Sequence, residues 1–278
     1  TDGQVYAASD FGEFDSDSPF IWKPKDVSGL TFGGNGAYLD FEDSGNLGDD
    51  ESGNTNDWTE TNIAAVDQAT DSPTNNFCVM NPLDNYYAGT AFSEGNCKLV
   101  TASSPVAYNT GTFGLTAGKW YYEVKVVTSV TYNNNMIGIT GETSSGTTDW
   151  LGNGAYDYAY YGYDGEYWNN NSGTSHGDAY TDNAIIGVYI DLDNNKLYFA
   201  EDGSIKNSGT GISITAPASI TSEAYFPAVN GYQNSSQGTY EVNFGGSPAF
   251  TVSSAVADAN GYGAFEFDPS DGGSSSFD

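Results

Sequence analysis

A short segment at residues 173–177, Gly-Thr-Ser-His-Gly, matches the G-x-S-x-G pattern that surrounds the nucleophile of many hydrolases. In those enzymes a histidine from elsewhere in the chain accepts the proton of the serine. This sequence holds a single histidine, His176, which directly follows Ser175. Neighbouring side chains of an extended strand point to opposite faces, so His176 cannot serve Ser175 as a base. We therefore predict a polar loop here and no catalytic residues.

Paired carboxylates are the second arrangement that could do chemistry. A glycosidase holds two of them about 5–10 Å apart in a cleft. The nearest approach to alternating acids on one strand is Asp191 with Asp193, but this pair precedes a hairpin turn, where acidic residues are common for structural reasons. The sequence therefore predicts no enzyme, and a glycan-active hydrolase is the weakest of the alternatives.

Residues 49–57 are dense in carboxylate and amide side chains, which are the ligands that Ca²⁺ prefers. The segment lacks the glycine that an EF-hand needs at its sixth position. A solvated acidic loop without metal is the favoured interpretation, and a calcium site is the alternative. The candidate calcium ligands are Asp49, Asp50, Glu51, Asn54 and Asp57.

Aromatic side chains are concentrated between residues 150 and 168, and flat amphipathic rings bind sugars and proteins well. The alternation of a strand predicts core positions for Tyr158, Tyr160 and Tyr167, with a bulge near Tyr160. Trp150 and Tyr156 belong to a glycine-rich stretch and are predicted to be exposed. The candidate ligand-binding residues are Trp150, Tyr156, His176 and Tyr232.

The charge excludes several classes of partner. The 278 residues include 37 acidic and 7 basic ones, the basic ones are all lysines, and the formal net charge is −30. Such a chain repels nucleic acids and anionic membranes. No apolar run is long enough to cross a bilayer.

Two cysteines, Cys78 and Cys97, flank a loop between two predicted strands. A cross-strand disulfide and a pair of buried thiols both fit this placement, and the thiols are favoured because the chain is poor in cysteine. Neither residue lies in a CxxC pattern, so a redox or zinc role is not expected.

Short strands with turn residues between them dominate the chain from residue 76 onwards. Residues 119–126 alternate in polarity, Asp164-Gly165 and Asn194-Asn195 are hairpin turns, and helical patterns are scarce. This organisation predicts an all-β fold, an antiparallel β-sandwich. The other predicted strands are residues 38–41, 77–80, 98–101, 136–139, 157–163, 166–169, 185–192, 196–200, 225–229 and 240–244.

The order of these strands resembles the SPRY (B30.2-like) domain, whose fold is a concanavalin-like jelly roll. The motifs that carry the resemblance are Trp120-Tyr121-Tyr122-Glu123-Val124, Ile137-Gly138-Ile139, residues 186–199, Asp202-Gly203, Tyr225-Phe226-Pro227-Ala228-Val229 and Val242-Asn243-Phe244-Gly245. With its flanking motifs at residues 31–41, 50–59, 71–75, 81–83 and 260–267, the chain is similar to SPRY-containing virion proteins of tailed bacteriophages from marine and other environments.

The resemblance implies a non-enzymatic virion surface protein, either a receptor-binding tail fibre or a capsid-decorating fibre, that recognises a host-surface glycan or protein. Its expected partners are other virion proteins or copies of itself. A structural subunit of an extracellular filament or adhesin is the main alternative. The expected organisation is an irregular N-terminal arm (residues 1–30), a loop-rich flank (31–75), the sandwich (76–250) and a C-terminal extension (251–278).

Overall fold

A computed structural model describes residues 2–14, 22–63, 65, 77–84, 89–102, 108–142, 149–231, 236–246, 248–258 and 263–272. The chain divides into two compact units, residues 1–76 and 77–278. None of the helices in these ranges is long and apolar enough to cross a membrane.

The described residues of the first unit contain little regular structure. Its elements are the short helix α1 (Ala8–Phe11) and a two-stranded antiparallel sheet of β1 (Gly12–Phe14) and β2 (Trp22–Pro24). The hydroxyl of Tyr6 donates to the carbonyl of Thr31 at 2.8 Å, and the amide of Asn35 donates to Asp2 at 2.7 Å. Residues of the predicted arm therefore contact the flank that follows them.

The second unit holds two larger antiparallel sheets. The six-stranded sheet has the order β10 (Ser172–Ser175), β9 (Glu166–Asn169), β8 (Asp157–Tyr161), β7 (Asn135–Thr140), β15 (Phe226–Gly231) and β5 (Asn109–Thr110). The eight-stranded sheet has the order β13 (Ser204–Ile205), β12 (Lys196–Glu201), β11 (Ile185–Asp191), β6 (Lys119–Thr128), β16 (Thr239–Asn243), β4 (Lys98–Val100) and β3 (Ala91–Ser93), with β14 (Ile212–Ser213) paired to β12.

The core is built from strand faces that alternate with a period of two, as the sequence predicts. Along β6 the side chains of Tyr122, Val124 and Val126 are buried in it. In β11 and β12 the core positions include Val188 and Phe199. The antiparallel sandwich is thus confirmed, and the described residues contain almost no helix.

Both predicted hairpins are confirmed. Gly165 turns the chain between β8 and β9 with a φ of +78°, which costs glycine little. Asn195 adopts a φ of +53° between β11 and β12, and asparagine is among the residues that tolerate this left-handed conformation.

Four local predictions are wrong. Residues 77–80 form no strand, and only Met80 makes an isolated bridge, with Gly111. Residues 38–41 form no strand, because the Tyr38 amide donates to the Asp50 side chain at 2.8 Å and Phe41 has a φ of +60°. Residues 173–175 of the predicted polar loop instead belong to strand β10, which pairs with β9. β8 pairs regularly with β7 and ends at Tyr161, so there is no bulge near Tyr160.

The C-terminal segment covers the outer face of the eight-stranded sheet through a buried carboxylate on β6. Glu123 accepts hydrogen bonds from the amides of Glu266 (3.1 Å) and Phe267 (2.8 Å). It also accepts from the Tyr121 hydroxyl and the Asn243 amide, both at 2.9 Å. Burial raises the pKa of Glu123, and these four hydrogen bonds offset part of that rise.

We expect Glu123→Ala to lower the free energy of unfolding by about 3 kcal/mol, because it leaves several buried donors without an acceptor. Chemical denaturation measures the loss, and limited proteolysis should cut the C-terminal segment sooner. The control Asp193→Ala removes one exposed hydrogen bond, from the Gly118 amide, and should cost less than about 1 kcal/mol. Equal losses in the two variants would contradict this role of Glu123.

Candidate functional site

Four aromatic rings form a row along the β8–β9 hairpin, on the outer face of the six-stranded sheet. The ring centroids of Trp150 and Trp168 are 5.3 Å apart, those of Trp168 and Tyr161 6.1 Å, and those of Tyr161 and Tyr163 5.9 Å. Three of the rings are half-buried, and Tyr163 is 57% exposed. We call these four residues the aromatic strip.

The alternation of β8 explains how the strip arises. Tyr158 and Tyr160 point into the core, as predicted, and therefore Ala159 and Tyr161 point outwards. Trp168 of β9 lies directly opposite Ala159 in the register, so its indole has room beside a small side chain. The strip rests on a second, smaller hydrophobic cluster that includes Met136 and Leu151.

A tightly anchored loop places Trp150 at one end of the strip. Gly152 has a φ of +105°, and a Cβ there would lie 2.9 Å from the Cβ of Trp168, so a larger residue would push the loop away from the indole. The Gly154 amide donates to the buried carboxylate of Asp157 at 2.9 Å. Burial raises the pKa of Asp157, and hydrogen bonds from Thr140 and Gly154 offset part of that rise. The loop is therefore fixed before any ligand arrives.

The other end of the strip lies where two turns meet. The Tyr161 hydroxyl donates to Asn134 Oδ1 at 2.6 Å, and the Gly162 amide donates to the carbonyl of Asn135 at 2.9 Å. In the turn just before, Tyr132 is 71% exposed and has a φ of +63°. A bulky residue in this left-handed conformation stores strain of about 1 kcal/mol or more, and such strain clusters at functional sites.

The structure brings only one of the four predicted ligand-binding residues into the strip, namely Trp150. Tyr156 packs partly buried against the main core, because it shares the parity of the core tyrosines. Tyr232 lies outside the described residues. Sequence reasoning missed Tyr161, Tyr163 and Trp168, although the opposite parity of Tyr161 and Tyr163 to Tyr160, and of Trp168 to Tyr167, was a usable signal.

His176 lies inside the sandwich and is only 5% exposed. The rings of Tyr160, Tyr167 and Phe199 surround it at centroid distances of 5.8–5.9 Å. Neither ring nitrogen has a hydrogen-bond partner, so His176 makes no pair with Ser175. It therefore does not belong to an exposed binding surface. Burial lowers its pKa to about 4.

The acidic loop is organised by Asp50, which is buried. Its carboxylate accepts from the amides of Tyr38 (2.8 Å), Ser52 (3.0 Å) and Asn56 (2.9 Å), and from the Ser52 hydroxyl (2.7 Å). Burial acts to raise the pKa of Asp50, but these hydrogen bonds outweigh burial and hold the pKa at about 2. The charge of Asp50 thus stabilises backbone turns.

This network argues against the calcium hypothesis. Both oxygens of Asp50 already face N–H and O–H donors, and the amide of Asn54 donates to the carbonyls of Gly33 (2.6 Å) and Gly36 (3.1 Å). In the ranges that the structure covers, no group of three or more His, Cys, Asp or Glu residues could hold a metal ion. Of the candidate ligands Asp49, Asp50, Glu51, Asn54 and Asp57, Asp50 and Asn54 are thus engaged in hydrogen bonds within the first unit, and the calcium site stays a prediction.

Cys78 and Cys97 are both buried thiols, and no disulfide joins them. The Thr112 hydroxyl donates to Cys78 Sγ at 3.7 Å, and burial raises the pKa of this thiol. Both cysteines thus act as small core residues, which is the interpretation that the sequence favours.

Comparison with known proteins identifies the domain that carries the strip. Residues 119–247 match the family model of the SPRY domain. The chain is also 27% identical over 150 residues to ATP-dependent RNA helicase DDX1 from Xenopus laevis, a match that covers 53% of this chain and 18% of the helicase. It therefore aligns with less than a fifth of that protein's length.

Two solved structures of human SPRY domains match part of this chain. The SPRY domain of human HERC1 is 14% identical with a TM-score of 0.46, and the match covers 59% of this chain and 96% of that one. A second human SPRY domain is 17% identical with a TM-score of 0.43, at 55% and 93% coverage. SPRY domains are in general non-catalytic protein-binding modules.

The environment of His176 makes the sandwich sensitive to mild acid. Because the pKa of His176 is about 4 in the folded chain and about 6.5 when unfolded, the unfolded state binds the proton first. His176 thus favours folding fully above pH 6.5, and this contribution falls as the pH drops towards 4, by on the order of 2 kcal/mol. Because the chain has one histidine, its NMR titration gives the pKa directly.

The control for this prediction is His176→Phe, which keeps an aromatic ring but cannot be protonated. The difference in unfolding free energy between the two proteins should change between pH 6.5 and 4 and stay constant above pH 7. A titration midpoint near 6.5 in the folded protein would show that the imidazole is not enclosed.

Proposed function

We propose that this SPRY-containing chain is a non-enzymatic surface protein of a tailed-bacteriophage virion, either a receptor-binding tail fibre or a capsid-decorating fibre. In this role it recognises a glycan or protein on the surface of the host cell. The SPRY domain supports a non-enzymatic binding role, since SPRY domains generally bind partners and do not catalyse reactions.

The aromatic strip is the observation that carries the proposal. Rings that are partly exposed on a rigid sheet give large contact area at a low cost in conformational entropy. Trp150 is held by an anchored loop, and Tyr161 by a hydrogen bond to Asn134. A surface that is fixed before binding loses less entropy on contact with a partner.

The charge distribution is consistent with a particle exterior. A formal net charge of −30 keeps a protein soluble and discourages contact with nucleic acid inside a capsid. Charge repulsion between copies of the chain is screened by salt, so such a protein tolerates dense display best in salty water. Its proposed partners are other virion proteins or further copies of this chain, and its proposed location is the virion surface.

The decisive experiment uses purified particles of a phage that encodes this chain. An antibody raised against the chain, detected by electron microscopy, should label the outside of intact particles. The purified chain should also compete with those particles for adsorption to host cells, and Trp150→Ala should weaken this competition.

Two results would count against the proposal. Particles without label, with the chain found only in host-cell fractions, would remove the virion assignment. Surface label without any competition for adsorption would favour a purely structural subunit, which is the main alternative to receptor binding.

A further inference from the structure

We infer that the aromatic strip binds a neutral oligosaccharide, with Trp150, Trp168, Tyr161 and Tyr163 as the stacking surface. This inference rests on the proposed function, because it names the class of ligand for the same surface. It is carried by four features of the strip: the spacing of its rings, its polar rim, the absence of lysine along its sheet and the scarcity of exposed aliphatic side chains beside it.

The row of rings suits a chain of sugars. Successive centroids are 5.3, 6.1 and 5.9 Å apart along one hairpin, with Trp168 edge-on to both Trp150 and Tyr161 at 71° and 83°, so the rings present a series of faces and edges. Aromatic side chains present apolar faces, and tyrosine and tryptophan add a polar group at the ring edge. An elongated ligand with apolar faces and polar edges matches this surface.

Polar side chains stand at both ends of the strip. Asn170 and Asn171 form the exposed turn after β9. Their backbone amides donate to the carbonyls of Gly154 and Gly152, respectively, each at 3.0 Å. This turn therefore lies against the loop that carries Trp150. At the opposite end, Asn134 contacts Tyr161. Asparagine side chains both donate and accept, as sugar hydroxyls require.

An exposed carboxylate completes the rim at the tyrosine end. Asp164 lies in the turn between β8 and β9, next to Tyr163, and its Oδ1 accepts from the Glu166 amide at 3.1 Å. A carboxylate accepts hydrogen bonds from ligand hydroxyls but repels an anionic group. The rim thus favours a ligand that brings hydroxyl donors and no negative charge.

The sheet that bears the strip has no basic residue. None of the seven lysines falls in its six strands or in residues 149–156, 162–165 and 170–171. An anionic ligand, such as a sulfated or uronate-rich polysaccharide, would find no cation there and would meet a chain of net charge −30. A neutral saccharide avoids this repulsion.

The surroundings of the strip fit a sugar better than a protein partner. Among the described residues of the second unit, the large exposed hydrophobic side chains are Leu83, Trp120, Tyr132 and Tyr163. Of these, Tyr163 belongs to the strip and Tyr132 lies in the turn that also carries Asn134, and both tyrosines carry a hydroxyl. The apolar centre of a protein interface is usually wide, whereas polar residues, Asp164 among them, already flank this short row of rings at its ends.

The test measures binding of the full chain to soluble neutral polysaccharides, namely a glucan, a mannan, a galactan and a xylan, with alginate as the anionic comparison. Affinity electrophoresis finds the ligand, and calorimetry gives the dissociation constant. We expect at least one neutral polysaccharide to bind and alginate not to bind. Tyr163→Ala and Trp150→Ala should each weaken binding by about three- to tenfold, the value of one lost stacking contact.

Matched variants separate the site from general damage to the fold. Tyr163→Phe keeps the ring and should retain most of the affinity. Trp120→Ala removes a 40% exposed tryptophan from the eight-stranded sheet and should leave binding unchanged. Equal losses in Trp120→Ala and Trp150→Ala, or a preference for alginate, would overturn the inference.

The outcomes also distinguish this inference from the function on which it rests. If the chain competes for adsorption to host cells but binds none of the neutral polysaccharides, and protease treatment of the cells abolishes its binding, the ligand is a protein. That result would overturn the inference and leave the proposed function in place. If the chain is absent from the particle surface while neutral glycan binding persists, the proposed function fails alone.

Discussion

The two-residue period of the β-strand is the constraint on which this structure depends. In β8 it sends Tyr158 and Tyr160 into the core and leaves Ala159 and Tyr161 on the outer face. A strand so rich in aromatic residues therefore serves both faces of its sheet. The inner rings stabilise the sandwich, and the outer rings, joined by Trp168 and Trp150, form a surface whose position is fixed by the same backbone.

The carboxylates of this chain are stabilised by hydrogen-bond donors more than by ion pairs. With seven lysines and no arginine, few cations are available for 37 carboxyl groups. The buried carboxylates of Asp50, Glu123 and Asp157 instead accept from backbone amides and hydroxyls. This arrangement holds turns and the C-terminal segment in place. The exposed acids among the described residues select against anionic partners.

The sequence predicted the sandwich well, because strand alternation and hairpin turns are local signals. The strands around Val188 and Tyr122 and the turns at Gly165 and Asn195 needed only neighbouring residues to be recognised. The site was harder, because its members come together only when β8 pairs with β9. Tyr156 and His176 looked accessible in sequence, yet both face the interior. Asp50 looked like a metal ligand, since the amides that surround it come from residues as far away as Tyr38.

The most direct test of the account is an NMR titration that follows the indole N–H resonances of the five tryptophans while a neutral oligosaccharide is added. If the outer face of the β8–β9 hairpin is the binding surface, the resonances of Trp150 and Trp168 should shift together. Those of Trp22, Trp58 and Trp120 should stay in place. Shifts confined to Trp120 or to the tryptophans of the first unit would contradict this binding surface, because the ligand would then contact a different part of the protein.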